Sequence, residues 1–434
     1  MSLLNRDQIL ALAPDPASAK AGQGLASPRK WSGLGRSDRA LWGECQGSGA
    51  NPYQARVDLS GPAYRCTCPS RKFPCKHALG LLLLSAASPD LFPAGEPPSW
   101  VAEWLAGRDR RAAPPEPKAA PADPEAQVRR AQERSQRVAA GLAELELWLR
   151  DVVRGGIASL QGRPYSFWDT PASRMVDCQA PAIARQLRGM AGLAASGPDW
   201  PDRLLQRLGR LYLLAEGFKH LESLPPEVQA DLRTAVGWSQ RSEELTSEPG
   251  VRDRWQVLGQ RVEDEETLRT QRTWLRGSGT GRSALLLQFA FGDQPFDAAP
   301  IPGTEIDAEL AFWPSAYPLR AAVRQSHVEP KPLAMPDGHA DAEGALRAYA
   351  EALAANPWLE QFPMLFAAVA PARIRGEWAL LDPDGRTIPL SPRFTRVWTL
   401  AAASGGSPVR LFGEWDGDSL LPLSAVGADG WTPL

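Results

Sequence analysis

A cluster of three cysteines and one histidine constrains the fold of this chain more than any other sequence feature. Cys66, Cys68, Cys75 and His77 form the pattern C-x-C-x6-C-x-H. Cys66 and Cys68 are two residues apart on a predicted strand, so both thiolates should lie on one face. Cys75 and His77 stand at the predicted start of the next helix, and the intervening residues can fold the two pairs together. Three thiolates and one imidazole predict a closed, tetrahedral, structural zinc site that leaves no position for a catalytic water.

Basic side chains surround this cluster and would offset its charge. Zinc bound by three thiolates and a neutral histidine carries a net charge of about -1, and nearby cations favour the thiolate form. The cations are Arg65, Arg71, Lys72 and Lys76. The alternative is three buried free cysteines beside an incidental histidine. Cys45 could replace one ligand, but a small core residue is the preferred interpretation, and Cys178 is isolated.

The motif resembles the SWIM zinc finger, whose pattern is C-x-C, a variable gap and then C-x-H. The flanking segments WGECQGS (42–48), PYQARVDLS (52–60) and CPSRKFPCKHALGLLLL (68–84) resemble stand-alone bacterial SWIM proteins over roughly residues 1–100. The resemblance implies one zinc ion at Cys66, Cys68, Cys75 and His77 in a compact β-then-helix finger. It also implies a DNA-binding or protein-binding module with no catalytic residues. The bacterial members are often associated with AAA-type ATPases and von Willebrand A-domain proteins, which implies a protein partner of that kind.

The sequence predicts a multidomain α+β fold in four parts. Residues 1–106 form the finger module, with short helices at 6–12 and 16–25, a β-meander at 40–45, 53–59 and 63–68, and a helix at 76–85. Residues 107–124, GRDRRAAPPEPKAAPADP, form a Pro/Ala-rich linker. Residues 125–250 form a helical domain. Residues 251–434 form a β-rich domain with one inserted helix at 342–355.

Apolar periodicity supports the two larger parts. Apolar residues spaced three and four apart from Val128 to Val152 predict a long helix, and an intramolecular bundle is favoured over a coiled-coil partner. Further helices are predicted at 172–195, 201–222 and 225–237. Strands are predicted at 254–262, 268–275, 284–291, 306–312, 320–327, 367–374, 378–381, 397–401, 409–412 and 420–424. The DPDG segment at 382–385 predicts a hairpin turn.

Charge is segregated along the chain. Residues 1–77 contain eleven basic and five acidic residues, a net charge of +6, whereas the whole chain of 434 residues carries -2. A basic finger with Trp31 and Trp42 close to arginines and lysines could hold phosphates and stack bases, so DNA is the alternative partner. The apolar run at 78–87 is too short to span a bilayer. We therefore expect a cytoplasmic protein with no membrane partner.

No sequence motif indicates catalysis. GSGTGRS at 277–283 lacks the ending of a P-loop, and the acidic segments VEDEE (262–266) and GEWDGD (413–418) are more typical of polar turns than of divalent-metal sites. The sequence therefore favours a non-catalytic, zinc-binding interaction protein whose finger docks a protein partner. Nucleic-acid binding through Arg65, Arg71, Lys72 and Lys76 is the first alternative. An enzyme with a site in the C-terminal β-rich part is the second.

Overall fold

The structure, a computed structural model, has the α+β architecture that the sequence predicted. An N-terminal β-meander with the Cys/His cluster is followed by a helical middle region and a β-rich C-terminal region. It describes the chain except for residues 1–5, 14–15, 48–50, 60–62, 71, 73, 113–123, 194–195, 198, 241–244, 246–248, 266–267, 293–295, 297–299, 327–330, 334–335, 375 and 428–429. Within the described residues, no helix combines the length and apolar character needed to cross a bilayer.

The finger sheet has four antiparallel strands paired in chain order. They are β1 (Trp31–Arg36), β2 (Ala40–Cys45), β3 (Tyr53–Asp58) and β4 (Ala63–Cys66). The sequence did not predict β1, because Gly33 and Gly35 lower its strand propensity. Gly35 is required by packing, since a Cβ atom there would lie 2.6 Å from the ring of Trp42 on the paired strand.

Four helices cover the two faces of this sheet. They are α1 (Arg6–Ala11), α2 (Pro16–Gln23), α3 (Lys76–Ala87) and α4 (Ser99–Ala112). On one face, Ile9 of α1 and Leu79 and Leu81 of α3 pack against Leu41 and Val57 of the sheet. The opposite face is covered by α4. The finger core is thus a three-layer arrangement in which the sheet is buried on both sides.

Helix α4 was not predicted, and it seals its face of the sheet with aromatic rings. Val101 of α4 packs against Trp42 in a small apolar cluster. The guanidinium of Arg56 on β3 lies over the rings of Trp100 and Trp104, 5.1 and 5.7 Å from their centroids. Burial there lowers the pKa of Arg56 to about 10. Cation–π contacts of this kind compensate part of the cost of burying the charge.

The end of α4 bears on the predicted linker. The helix continues to Ala112, so residues 107–112 of the segment predicted as a linker are helical. The next helix, α5 (Pro124–Arg154), begins at the last residue of that segment, and residues 113–123 lie outside the described part of the chain. The division of the chain into four domains stays a prediction.

The middle region is a helical bundle with one large apolar core. Besides α5 it contains α6 (Tyr165–Asp177), α7 (Pro181–Met190), α8 (Trp200–Lys219) and α9 (Pro226–Val236). The predicted stripe on α5 is buried inside this bundle at Val138, Leu142, Leu145, Leu149 and Val152, which agrees with the intramolecular interpretation. The single helix predicted at 172–195 is wrong. The helix is interrupted between α6 and α7, where Gln179 adopts a left-handed conformation with a φ of 65°.

Five strands of the C-terminal region close into a barrel. They are β5 (Val251–Glu265), β6 (Leu268–Gly277), β7 (Ser283–Phe291), β8 (Thr304–Phe312) and β9 (Arg320–Ser326), with the short β10 (Lys331–Pro332) at the edge of β8. The order β8-β5-β6-β7 is a Greek key. The barrel closes because β9 pairs in parallel with β7 and antiparallel with β8. Small Greek-key barrels of five strands include the OB-fold, but a barrel alone does not assign a function.

A second six-stranded sheet packs on the barrel. It comprises β11 (Phe362–Ile374), β12 (Glu377–Leu381), β13 (Thr387–Pro389), β14 (Val409–Trp415), β15 (Leu420–Gly427) and β16 (Gly430–Pro433). Helices α10 (Ala342–Ala355) and α11 (Val397–Ser404) cover its outer face. The strand predicted at 397–401 is wrong. Val397, Trp398 and Thr399 favour strands, but the alanines that follow favour a helix, and Leu400 is anchored in the core.

Glu414 joins the second sheet to the barrel. Its carboxylate is 3% exposed and accepts hydrogen bonds from the Arg261 guanidinium, from Arg272 at 3.2 Å and from the Trp274 indole at 2.5 Å. The interpretation of GEWDGD as a polar hairpin tip is therefore wrong for Glu414. It fits Asp416, whose carboxylate accepts from the backbone N–H groups of Asp418 and Ser419.

Asp231 joins the bundle to the barrel. This α9 carboxylate is 6% exposed and accepts a hydrogen bond from the backbone N–H of Ala316 at 2.8 Å, in the loop between β8 and β9. Burial raises its pKa from 3.8 to about 6. The folded protein therefore binds this proton more tightly than the unfolded chain does, and stability from this group falls as pH rises between about 4 and 6.

An Asp231→Asn variant should remove this part of the pH dependence. Between pH 4 and pH 7, its free energy of unfolding should gain roughly 2–3 kcal/mol relative to the wild-type chain, because the amide keeps the hydrogen bond but carries no charge. Urea unfolding at the two pH values measures the difference. Asp177→Asn, at the exposed end of α6, is the control and should follow the wild type. Parallel pH profiles for Asp231→Asn and the wild type would contradict the assignment.

Candidate metal centre

The end of β4 and the start of α3 position the four predicted ligands. Cys66 is the last residue of β4, and Cys68 follows in a bend. Cys75 is the N-cap residue of α3 in an extended conformation, and His77 is in the first turn. Pro74 precedes the N-cap and cannot continue a strand, so the chain turns into the helix here. Both ligand pairs therefore come from short segments that are fixed by regular structure.

The four side chains converge on one point. One ligand atom from each of Cys66, Cys68, Cys75 and His77 lies within 4.8 Å of the others, and Cys66 Sγ is 3.7 Å from His77 Nδ1. Tetrahedral zinc with Zn–S of about 2.3 Å and Zn–N of about 2.0–2.1 Å requires separations of about 3.5–3.8 Å. Cys75 and His77 are buried, whereas Cys66 and Cys68 are half-buried. The arrangement has the size and enclosure of a structural zinc site.

The electrostatics of the thiols fit a bound cation. A hydrogen bond between Cys66 and Cys68 raises the pKa of the first thiol and lowers that of the second. Thiols this close cannot all ionise unless a positive charge compensates them. A divalent zinc ion supplies that charge, and the N-terminus of α3 adds a favourable dipole beside Cys75. The residues present therefore fit one structural zinc ion held by three cysteines and one histidine.

Two neighbouring residues complete the surroundings of the site. The ring of Tyr53 on β3 packs against the His77 imidazole, with centroids 4.9 Å apart and planes tilted by 42°. The sequence did not indicate this contact, because it depends on strand pairing. Cys45 is fully buried in the finger core, and burial raises the pKa of its thiol. It does not join the ligand cluster, in agreement with its interpretation as a core residue.

Three of the four predicted binding cations lie on the surface around the zinc site. Arg65, Lys72 and Lys76 are exposed, whereas Arg71 is outside the described residues. Their role in binding a partner or nucleic acid stays a prediction. The expectation that Trp31 and Trp42 could stack bases is wrong, because both rings are buried. The Trp31 indole donates a hydrogen bond to the Leu25 carbonyl at 2.8 Å.

No second metal-ligating group accompanies this cluster in the part of the chain that the structure describes. Among those residues, Cys66, Cys68, Cys75 and His77 form the group of at least three His, Cys, Asp or Glu side chains whose ligand atoms are close enough to hold one ion. His339 is half-buried, and burial lowers its pKa. Its backbone pairs with Leu365 of β11, which gives it a structural position.

The fold and the ligand set define a zinc-finger protein with a helical bundle and a β-rich region. Comparison with family models makes the class specific. Residues 55–85 match the SWIM zinc finger, and residues 133–236 match the SWIM-associated four-helix bundle domain. The chain thus contains a SWIM zinc finger and a SWIM-associated four-helix bundle domain, and the resemblance found in the sequence is confirmed. No curated protein and no solved structure matches it.

The two matches account for the site and for most of the bundle. All four zinc ligands lie inside the first match, and the second runs from within α5 to the end of α9. Both kinds of domain are typically non-catalytic. The absence of an activity in the β-rich region stays a prediction.

Proposed function

We propose that this chain is a zinc-stabilised, non-catalytic interaction protein whose finger docks a protein partner. The observation that carries the proposal is the completeness of the ligand set. Three cysteines and one histidine supply all four tetrahedral positions, so the metal holds β4 to α3 and has no position for substrate. Pro69 and Lys72, which are exposed between the ligand pairs, then lie on a surface whose shape depends on zinc. AAA-type ATPases and von Willebrand A-domain proteins are the partners that the family resemblance favours.

Nucleic acid is the second candidate partner. It is favoured by the exposed side chains of Arg65, Lys72 and Lys76 and by the net charge of +6 over residues 1–77. Because their rings are buried, Trp31 and Trp42 do not offer the stacking platform that single-strand binding uses. Binding through the exposed cations would rest on phosphate contacts and would weaken steeply with salt.

A photo-reactive amino acid at position 72 separates the two candidates. In zinc-loaded, full-length protein we expect it to cross-link an AAA-type ATPase or a von Willebrand A-domain protein, and we expect the same group at Arg130 on α5 to give no product. Removing zinc should abolish the product, because the segment between the ligand pairs loses its shape. Cross-linked nucleic acid, lost as salt is raised, would replace the proposal with the second candidate.

Charge reversal tests the same surface independently. Converting Arg65, Lys72 and Lys76 to glutamate should lower partner cross-linking several-fold, because rim charges govern association. The matched control converts Arg129, Arg130 and Arg137, which are exposed on α5, to glutamate. Equal losses in the two triple variants would show that total charge matters and that the finger surface does not.

A further inference from the structure

A groove on the helical bundle lies between α5 and α8, far along the chain from the zinc ligands. The two helices are antiparallel, since Arg150 contacts the Tyr212 hydroxyl at 2.9 Å and Glu146 pairs with Lys219. The cavity has a volume of 340 Å3 and is lined by Leu149, Arg150, Val153, Arg154, Leu205, Leu208, Gly209 and Tyr212. The floor of the groove belongs to the apolar core of the bundle, because Leu149 and Leu208 are each 2% exposed.

The walls of this groove leave apolar side chains open to solvent. Val153 on α5 and Leu205 on α8 are each 46% exposed, and both line the groove. Exposed aliphatic residues that flank a concave apolar surface are typical of a binding site for an apolar face. The core of the bundle is complete without them, since neither residue belongs to its buried cluster.

Gly209 gives the groove its depth. It lies in the middle of α8, where glycine is a poor helix former. A Cβ atom at this position would meet no heavy atom within 4 Å, so the packing of this chain does not require glycine there. Because this position has no side chain, the space above the floor of the groove stays open. A helix lying in the groove would gain a close approach at this point.

The charged residues of the groove share one sign. Among the described residues, the charged side chains that line the groove are those of Arg150 and Arg154. Arg150 is held by Glu146 at 2.5 Å and by Tyr212. Arg154 is 77% exposed, and its contact with Asp151 is 3.9 Å long. Arg154 can therefore reorient toward a carboxylate on a ligand that occupies the groove.

We propose that this groove docks an amphipathic helix of a partner protein, with apolar residues at i, i+3, i+4 and i+7 and a carboxylate beside them. The apolar side chains fill the space above Leu149 and Leu208, and the helix backbone passes over Gly209. The carboxylate pairs with Arg154. This site is separate from the finger surface and does not rest on the function proposed above.

A displayed library of helical 18-residue peptides tests the proposal. Leucine is fixed at the i, i+3, i+4 and i+7 positions, and the flanking positions vary among Glu, Lys, Gln and Ala. Selection on zinc-loaded, full-length protein should enrich peptides with glutamate beside the leucines. A synthetic peptide from the enriched pool should bind at least tenfold more weakly to a Gly209→Leu variant, because the added side chain fills the groove.

The controls decide whether the groove itself binds the peptide. Gly189→Leu in α7 is the matched control, since a Cβ atom there also meets nothing within 4 Å and the residue does not line the groove. It should bind like the wild type, and Arg154→Glu should shift the preference from glutamate to lysine peptides. Zinc removal should leave peptide binding intact, which separates this test from that of the finger.

Three results would overturn the proposal. The first is a selection that enriches no peptide above the level seen with Gly209→Leu as bait. The second is enrichment of lysine-rich peptides by the wild-type chain. The third is a dimer in sedimentation that Gly209→Leu dissociates, because the occupant would then be a second copy of this chain.

Discussion

Replacing Cys75 by serine is expected to abolish zinc binding and to unfold the finger. A structural zinc ion contributes its binding free energy to folding, roughly 10–16 kcal/mol in isolated zinc-finger peptides at neutral pH. The loss of one thiolate from a four-ligand set therefore removes more stability than a small module can spare. Metal content should fall from one zinc per chain to near zero, and proteolysis should begin within residues 40–85 while the bundle stays protected.

Cys45→Ala is the control for this variant. Cys45 is as deeply buried as Cys75 but does not belong to the ligand cluster. The Cys45→Ala variant should keep one zinc per chain and lose only the packing of one small side chain. A Cys75→Ser protein with full zinc occupancy and unchanged protease resistance would refute the site.

Replacing Glu414 by glutamine is expected to destabilise the C-terminal region by about 3–5 kcal/mol, because the guanidinium groups of Arg261 and Arg272 would lose a buried negative partner. Glutamine has nearly the same shape, so the change reports on charge and hydrogen bonding. The Trp274 indole donates to this carboxylate, and the shift of the urea-unfolding midpoint measures the loss.

An exposed ion pair provides the comparison for Glu414. Glu343 on α10 pairs with Arg347 at 3.1 Å and with Arg386 at 2.8 Å, and its side chain is 56% exposed. Solvent screens such pairs, so Glu343→Gln should cost less than about 1 kcal/mol. Equal shifts of the unfolding midpoint in the two variants would show that Glu414 does not act as a buried anchor.

The zinc ligands could be predicted because their geometry is local. The C-x-C pair, the helix start at Cys75 and the intervening six residues fix four side chains within one hairpin-to-helix connection. The contact of Tyr53 with His77 could not be predicted in this way. It arises because β3 pairs with β4, and no spacing in the sequence reports which strands become neighbours.

The fold elements that escaped prediction depend on distant partners. Helix α4 begins at Ser99, and its arginine-rich end has the composition of a linker. Contacts with Trp42 and Arg56 of the sheet stabilise the helix. Residues 397–404 have strand-forming side chains at their start, and packing of Leu400 makes them helical. Glu414 has the sequence context of a turn and becomes buried through contacts with β5 and β6.

Helices cover both faces of the finger sheet, and this determines which segment of the chain could be transplanted. A segment limited to 55–85 would carry every metal ligand but would lack β1, β2 and the helix that shields Trp42 and Arg56. Such a fragment would keep α3 on one face but would expose the other face of a two-stranded ribbon, which is marginal on its own. A graft of the finger onto another protein should therefore span residues 6–112 with α4 attached, and it would also have to replace the contact that Ile301 makes with the finger core.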